Sequence, residues 1–173
     1  MQDILEILKY ILPSLIVFMT AWLVIRKFLE NERKIKKIDL MYKNEQYILP
    51  IRMQAYERLV LFLERISPES LIMRVNKQGM TSQELHTGLL TAIRSEFEHN
   101  LSQQIYVSRE SWEVIRNARS GLVNIINEAA KSIEPGSPSM KLSQTILETI
   151  IEADKSPTTV AIDYIKREVK ELF

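Results

Sequence analysis

The sequence predicts an all-α protein with an N-terminal transmembrane helix, a juxtamembrane helix and a cytoplasmic bundle of about five amphipathic helices. The chain has only 4 Gly and 6 Pro among 173 residues, which favours long regular elements over linkers. A long uncharged apolar stretch near the N-terminus is followed at once by a basic one. Beyond residue 50, apolar residues recur every three or four positions, as on one face of a helix, and no run alternates as a surface strand does.

The first element is a predicted membrane anchor within residues 1–25. The 16 residues from Tyr10 to Ile25 carry no charge. Extending this run back to Ile4, past Lys9 and Glu6, gives 22 residues. At ~1.5 Å per residue such a helix is roughly as long as the ~30 Å hydrocarbon core of a bilayer is thick. Tyr10 and Trp22 lie near its two ends, where interfacial aromatic residues are common.

Two other interpretations of this run fit less well. A cleavable signal peptide has its positive charge before the apolar run and a small-residue cleavage site after it. Here the basic residues follow the run, and no such site accompanies them. A helix buried in a soluble core keeps one polar face, which this run lacks.

A basic juxtamembrane helix is predicted for residues 26–50. Residues 26–37 contain six Lys or Arg against two Glu, whereas one Lys precedes the apolar run. Because cytoplasmic flanks are richer in basic residues, the N-terminus is expected outside and residues 26–173 in the cytoplasm. The same block either acts only as a topology signal or also attracts anionic lipids. The residues expected at the lipid or its interface are Tyr10, Trp22, Arg26, Lys27, Arg33, Lys34, Lys36 and Lys37.

Along this juxtamembrane helix runs a thin apolar seam with coiled-coil spacing. Its members, at intervals of about 3.5 residues, are Phe28, Ile35, Ile38, Tyr42 and Leu49. The polar residues Asn31 and Glu45 interrupt the seam and weaken the signal. Two structures are compatible with it: a stalk that pairs with a second copy, or a helix that lies along its own domain. Pro50 is expected to kink or restart the helix.

The cytoplasmic bundle is predicted to span residues 51–173. Its first helix, 51–66, is apolar on more than one side and is therefore expected at the centre of the bundle or at an interface. Residues 69–80 are expected to form an irregular connection or a short strand. Four more helices are expected. The first begins at Thr81, which forms a capping box with Glu84, and ends at about 104, and the second runs from Ser108 to about 133. The third follows the 134–138 loop, and the fourth begins at Ser156-Pro157; the inward residues of the third are Leu142, Ile146, Leu147, Ile150 and Ile151.

Composition and motifs exclude several kinds of chemistry. The chain has no Cys and two His, and it lacks a nucleophile elbow and any glycine-rich phosphate loop. Its formal net charge of +1 is too small to attract nucleic acid electrostatically. We therefore expect no catalytic, cofactor-binding or metal-ligating residue, and a non-enzymatic protein.

One pair of residues is compatible with an alternative function, that of a metal-dependent enzyme. Glu96 and His99 have the Glu-x-x-His spacing of di-iron bundles, but such a site needs two pairs and two further Glu. The pair flanks the predicted core, so a surface ion pair or hydrogen bond is the simpler interpretation. Glu84 or His86 would be the additional ligands. His86 lies in the apolar stripe, where it is expected either as a hydrogen-bonded residue or as a pH-sensitive one.

The favoured function is that of a membrane-anchored interaction or assembly protein. Expected contact residues are Tyr56, Phe62, Ile72, Met73 and Arg119; the last is also compatible with an internal ion pair. Expected partners are membrane lipid, another membrane or cytoplasmic protein, or a second copy of the chain. A lipid-surface or envelope regulator acting through residues 26–37 is the alternative.

Two blocks carry a resemblance to a known family. The segments IRMQAYERLVLFLERI (51–66) and SEFEHNLSQQIYVS (95–108), with the apolar run before them, resemble a family of small uncharacterised single-span membrane proteins from Bacteroidota. The resemblance extends over nearly the whole chain. It implies a bacterial inner-membrane location and assigns no activity, cofactor or catalytic residue.

Overall fold

The structure, a computed structural model, is all-helical in the residues that it describes. It describes the backbone of residues 2–172 and the side chains of residues 11, 13–43 and 46–171. The elements are α1 (Gln2–Arg65), α2 (Pro68–Val75), α3 (Ser82–Asn100), a 3₁₀ helix (Leu101–Ile105), α4 (Arg109–Lys131), α5 (Ser139–Glu152) and α6 (Pro157–Leu172). The all-α class is thereby confirmed.

The chain divides into two compact units, Met1–Leu49 and Pro50–Phe173. In the first unit every described side chain from residue 11 to residue 49 is exposed, including large apolar ones such as Val17, Phe18 and Tyr47. Among the described residues, no helix has the length and apolarity needed to cross a membrane. The anchor expected within residues 1–25 includes positions 1–10 and 12, whose side chains lie outside the described set, and it stays a prediction.

The second unit is built around one apolar core to which all its α-helices contribute. Helix α4 packs most extensively against α6 and also against α3 and α5, while α2 packs against α3 and α5. Gly88 of α3 permits the close approach of α2, because a Cβ there would lie 2.8 Å from Cγ1 of Val75. The largest fully buried side chains are Tyr56, Leu59, Phe62, Leu63, Ile66, Leu71, Leu85, Leu89, Ile93, Ile115, Leu122 and Ile126.

One expectation about a helix boundary was wrong, and one of the two alternatives at Pro50 is excluded. The helix does not restart at Pro50, since α1 is continuous to Arg65; a proline removes one backbone donor, and the neighbouring turns keep theirs. A kink at Pro50 stays a prediction. Residues 69–75 are not an irregular connection or a strand, because α2 begins at Pro68. The Ser67-Pro68 pair ends one helix and begins the next, since proline is well suited to the first helical position. The true connection is 76–81, where Gly79 adopts φ +84°.

The helix caps predicted at Thr81 and Ser108 are confirmed. The amide of Thr81 donates to Glu84 Oε2 (2.8 Å) and the amide of Glu84 donates to Thr81 Oγ1 (3.3 Å), which is the expected capping box. Ser108 Oγ accepts from the amide of Ser111 (3.0 Å) at the start of α4. The inward placement of Ile151 was wrong: this residue lies at the end of α5 and is exposed.

Candidate functional site

Three of the five predicted contact residues lie in the core of the unit and not on its surface. Tyr56, Phe62 and Ile72 are at most 8% exposed. Residues 51–65 of α1 are apolar on several sides, and most of these sides face an apolar core shared with other helices of the same chain. Leu61 is an exception, at 60% exposed. Only Met73, at 84% exposed, presents a large apolar side chain to solvent as expected.

Arg119 occupies the edge of an aromatic stack. The rings of Phe62 and Phe97 have centroids 6.0 Å apart, and those of Phe97 and Trp112 lie 5.6 Å apart. The guanidinium carbon of Arg119 is 4.2 Å from the centroid of Phe97. A cation over an aromatic face is stabilised by the ring quadrupole. Arg119 is therefore held by its own chain through an aromatic contact, which the sequence interpretation did not include.

Glu96 is bound by two arginines from different elements. Its Oε1 lies 2.7 Å from Nη2 of Arg65, at the end of α1, and 3.2 Å from Nη1 of Arg74 in α2. The interaction with Glu96 raises the pKa of Arg65 above its usual value. This ion-pair cluster joins α1, α2 and α3 at the edge of an open groove of about 480 Å³, which His99 also lines.

The metal-site alternative finds no support in this geometry. Two cationic side chains already occupy the carboxylate of Glu96, and they oppose the approach of a metal ion. His99 is exposed one turn away. In the described part of the chain, no three His, Asp or Glu residues are placed to share a metal.

His86 packs as a hydrogen-bonded residue of the α3–α4 interface. Its Nε2 lies 2.9 Å from Oδ1 of Asn127, and the imidazole is partly buried. Because a carboxamide oxygen only accepts, Nε2 carries the hydrogen of this bond. This is the first of the two roles that the sequence allowed for His86.

A carboxylate that the sequence interpretation missed holds the C-terminal helix in place. The hydroxyls of Tyr56 and Ser111 donate short hydrogen bonds to Glu168, and Ser108 Oγ donates to its Oε2 at 2.9 Å. Burial alone would raise the pKa of Glu168, but these three hydrogen bonds and the charge of Arg52 outweigh it and lower the pKa. Burial, together with the hydrogen bond to Glu168, raises the pKa of Tyr56.

One sequence signal could have revealed Glu168. It lies three positions after Ile165 and seven after Ala161, and both of these are buried. Those intervals place Glu168 on the apolar stripe of α6. An acidic residue at such a position requires polar partners from other helices, and the sequence does not say which ones.

A second open groove, of about 640 Å³, lies between the 76–81 loop and residues 136–140, where the next loop ends and α5 begins. The loops are joined by backbone hydrogen bonds from Ser82 to Ser137 (2.8 Å) and from Ser139 to Met80 (3.0 Å). Met140 lines this groove and is exposed. The loops are thus held in place by local pairing while leaving an apolar side chain uncovered.

The basic residues expected at a lipid surface are all exposed, whereas Tyr10 lies outside the described side chains. Arg26 lies over Trp22, with its guanidinium carbon 5.3 Å from the ring centroid, and pairs with Glu30 at 3.2 Å. Lys27, Arg33, Lys34, Lys36 and Lys37 are exposed along the same stretch of α1. These cations are available to an external anionic group.

The fold defines an all-helical protein in the residues that the structure describes. Residues 2–172 match the family of unknown function DUF7935, and the chain belongs to that family. Membership of an uncharacterised family is thus confirmed; its Bacteroidota origin and single-span nature stay predictions. No curated protein and no solved structure matches the chain.

Proposed function

We propose that this chain is a membrane-anchored, non-enzymatic protein whose helical unit 50–173 serves as an interaction or assembly module in the bacterial cytoplasm. The observation that carries the proposal is the uncharged run from Tyr10 to Ile25 with the basic block directly after it. Exposed apolar side chains at Ile16, Val17 and Phe18 add support, because such a surface is stable only when something apolar covers it. Lipid acyl chains are the proposed cover.

The non-enzymatic part of the proposal is supported by how the chain uses its reactive side chains. Glu96 is bound by two arginines, His86 by Asn127, and Glu168 by three hydroxyls. The lowered pKa of Glu168 keeps it ionised near neutral pH, whereas a general acid needs a raised pKa. Each of these groups therefore stabilises contacts between helices.

The contact surfaces proposed for a protein partner are those that remain exposed. They include Met73 on α2, Leu61 on α1 and the apolar seam of the first unit. Confinement to a membrane raises the effective concentration of anchored partners, so modest apolar patches suffice for association.

Membrane anchoring is tested by fractionation of cells that express the full chain with a C-terminal tag. We expect the protein to stay in the membrane pellet through an alkaline carbonate wash. Leu15→Arg with Phe18→Arg should release it, because charge in the apolar run opposes insertion. The matched pair Leu40→Arg with Tyr47→Arg, also at exposed apolar positions, should leave it in the pellet. Wild-type protein in the soluble fraction would refute the anchor.

Partner binding is tested by in-cell crosslinking followed by mass spectrometry. Met73→Lys should reduce the crosslinks to a partner without changing the fold, because the side chain is 84% exposed. Ile151→Lys is the matched control, since Ile151 is 78% exposed on a different helix. Equal crosslinking by both variants and the wild type would exclude Met73 from the contact surface.

A second candidate function is supported by the exposed basic block. Residues 26–37, with their six exposed cations, are suited to sensing anionic lipid at the membrane surface. Reversing the charge of Lys34, Lys36 and Lys37 should then inactivate the protein even where protease protection shows an unchanged topology. Full activity of that variant would leave the block as a topology signal only.

A further inference from the structure

We propose that residues 27–49 form a parallel, in-register, two-stranded coiled coil with a second copy of this chain. The inference deepens the proposed function, on which it rests, by naming the partner of the first unit. The seam residues are all between 42% and 66% exposed, and all lie on one helix. In heptad notation the a positions are Phe28, Ile35, Tyr42 and Leu49, and the d positions are Asn31, Ile38 and Glu45.

Charges beside the seam select a second copy as the occupant. With this register, Lys27 and Lys34 fall at g positions, while Glu32 and Asp39 fall at e positions. In a parallel dimer each g residue meets the e residue five positions later on the other chain. Lys27 therefore faces Glu32 of the other copy, and Lys34 faces Asp39. Both pairs join opposite charges, and the two-fold symmetry repeats them.

The same charges disfavour an antiparallel arrangement. Antiparallel helices bring g next to g and e next to e, which would place lysines beside lysines and carboxylates beside carboxylates. Asp39 does lie 3.4 Å from Lys43 of its own helix, but both side chains are about two-thirds exposed. Such an exposed pair contributes little and does not prevent an interchain contact.

The seam widens where its charged flanks end. Met41 and Ile48 occupy the next two g positions and are exposed and apolar. They broaden the face that a partner helix would cover between Ile38 and Leu49. Asn31, at a d position, would lie beside the same residue of the other copy, where two carboxamides can bond to each other only when the chains are in register. A membrane anchor on each copy agrees with this arrangement, because both helices then leave the bilayer in the same direction.

Single cysteines test the register directly, since the chain contains none of its own. We expect Ile35→Cys and Ile38→Cys to form disulfide-linked dimers of the full chain severalfold faster than Arg33→Cys and Leu40→Cys when an oxidant is added to cell lysate. The last two occupy f positions, on the opposite side of the helix. A disulfide requires Cα atoms within about 7 Å, which the seam positions satisfy and the f positions do not. Equal rates at all four positions, or faster linkage at the f positions, would overturn the proposal.

Charge reversal tests the partner without relying on one variant's stability. One chain carries Lys27→Glu and Lys34→Glu, and a differently tagged chain carries Glu32→Lys and Asp39→Lys. Each variant should capture its own copies several times less than wild type does, because every g–e pair is then repulsive. Mixed together, the two should capture each other at least as well as wild-type copies do. Failure of the mixture to associate, or unchanged self-association, would refute the coiled coil.

Membrane retention, measured on the same samples, separates this proposal from the one on which it rests. Protein that stays in the carbonate-washed pellet but forms no dimers at 35 and 38 refutes the coiled coil and leaves the anchor standing. Dimers at those positions in the soluble fraction refute the anchor and leave the coiled coil standing.

Discussion

Helix α1 contains two regions with large apolar side chains, and these are covered to very different extents. In the first unit Phe18 is 72% exposed, whereas in the second unit Phe62 is 1% exposed. Both side chains have the same intrinsic preference for leaving water. The difference is that buried side chains of residues 51–65 share one apolar core with residues of α2 to α6. Apolarity along a helix therefore shows that a cover is needed, while the rest of the chain decides whether the cover is internal.

The two regions also differ in how they use charge. In the first unit the described ion pairs, Arg26–Glu30 and Asp39–Lys43, join residues one turn apart. In the second unit Glu96 and Glu168 connect residues that are distant in sequence, such as Tyr56 and Glu168, which are 112 positions apart. Local pairs stabilise a helix alone, but distant ones stabilise a tertiary arrangement.

The largest expected effect separates two neighbouring leucines of α1. Leu63→Ala should destabilise the second unit by about 2–5 kcal/mol, because the side chain is fully buried and leaves a cavity. Leu61→Ala, at a position that is 60% exposed, should change stability by less than about 0.5 kcal/mol. Urea unfolding followed by Trp112 fluorescence in a Trp22→Phe background measures both. Equal effects would contradict the contrast between covered and uncovered faces.

The next effect concerns Glu168. Glu168→Gln should lower the free energy of unfolding of the second unit by about 1–3 kcal/mol at neutral pH, because three hydroxyl donors lose a charged acceptor. The lowered pKa means that the stability from this carboxylate is fully present above its usual pKa of 4.5 and is lost as the pH falls through the lower, folded value. Urea midpoints measured from pH 7 down to pH 3 should fall less steeply for the variant than for wild type. Parallel curves would show that Glu168 is not the titrating group.

A smaller effect is expected at the capping box. Thr81→Ala should lower the free energy of unfolding of the second unit by about 1 kcal/mol. The substitution removes the hydroxyl that accepts a hydrogen bond from the amide of Glu84 at the start of α3. Thr81→Ser keeps the acceptor and should retain most of the stability. A loss as large for serine as for alanine would assign the effect to packing of the threonine methyl group.

The smallest effect is expected in the seam of the first unit. Ile35→Ala should change the free energy of unfolding of the second unit, measured by urea titration with Trp112 fluorescence, by less than about 0.5 kcal/mol, since Ile35 is exposed. The same substitution should weaken self-association if the coiled coil forms. A large change in that free energy would mean that the seam contributes to the stability of the helical unit.

Much of the secondary structure could be predicted because its signals are local. The capping box at Thr81, the cap at Ser108 and the proline at position 157 each act within one helical turn, and all three begin helices where expected. The same locality explains the error over residues 69–75, which follow the Ser67-Pro68 pair. The pair marks an end and a beginning equally well, and only the packing of Leu71 and Ile72 into the core selects the helix that follows.

By itself the sequence determined the all-helical class, most helix starts and the alternation of an uncharged run with a basic block, because these depend on residues close together in the chain. Tertiary structure alone decided that Tyr56, Phe62 and Ile72 belong to the core, that Arg119 lies on Phe97, and that Glu168 receives three hydroxyl hydrogen bonds. Burial and polar pairing depend on what other helices present at the same point in space. The pattern of residues along one helix predicts that such partners are needed, but it does not predict which residues they are.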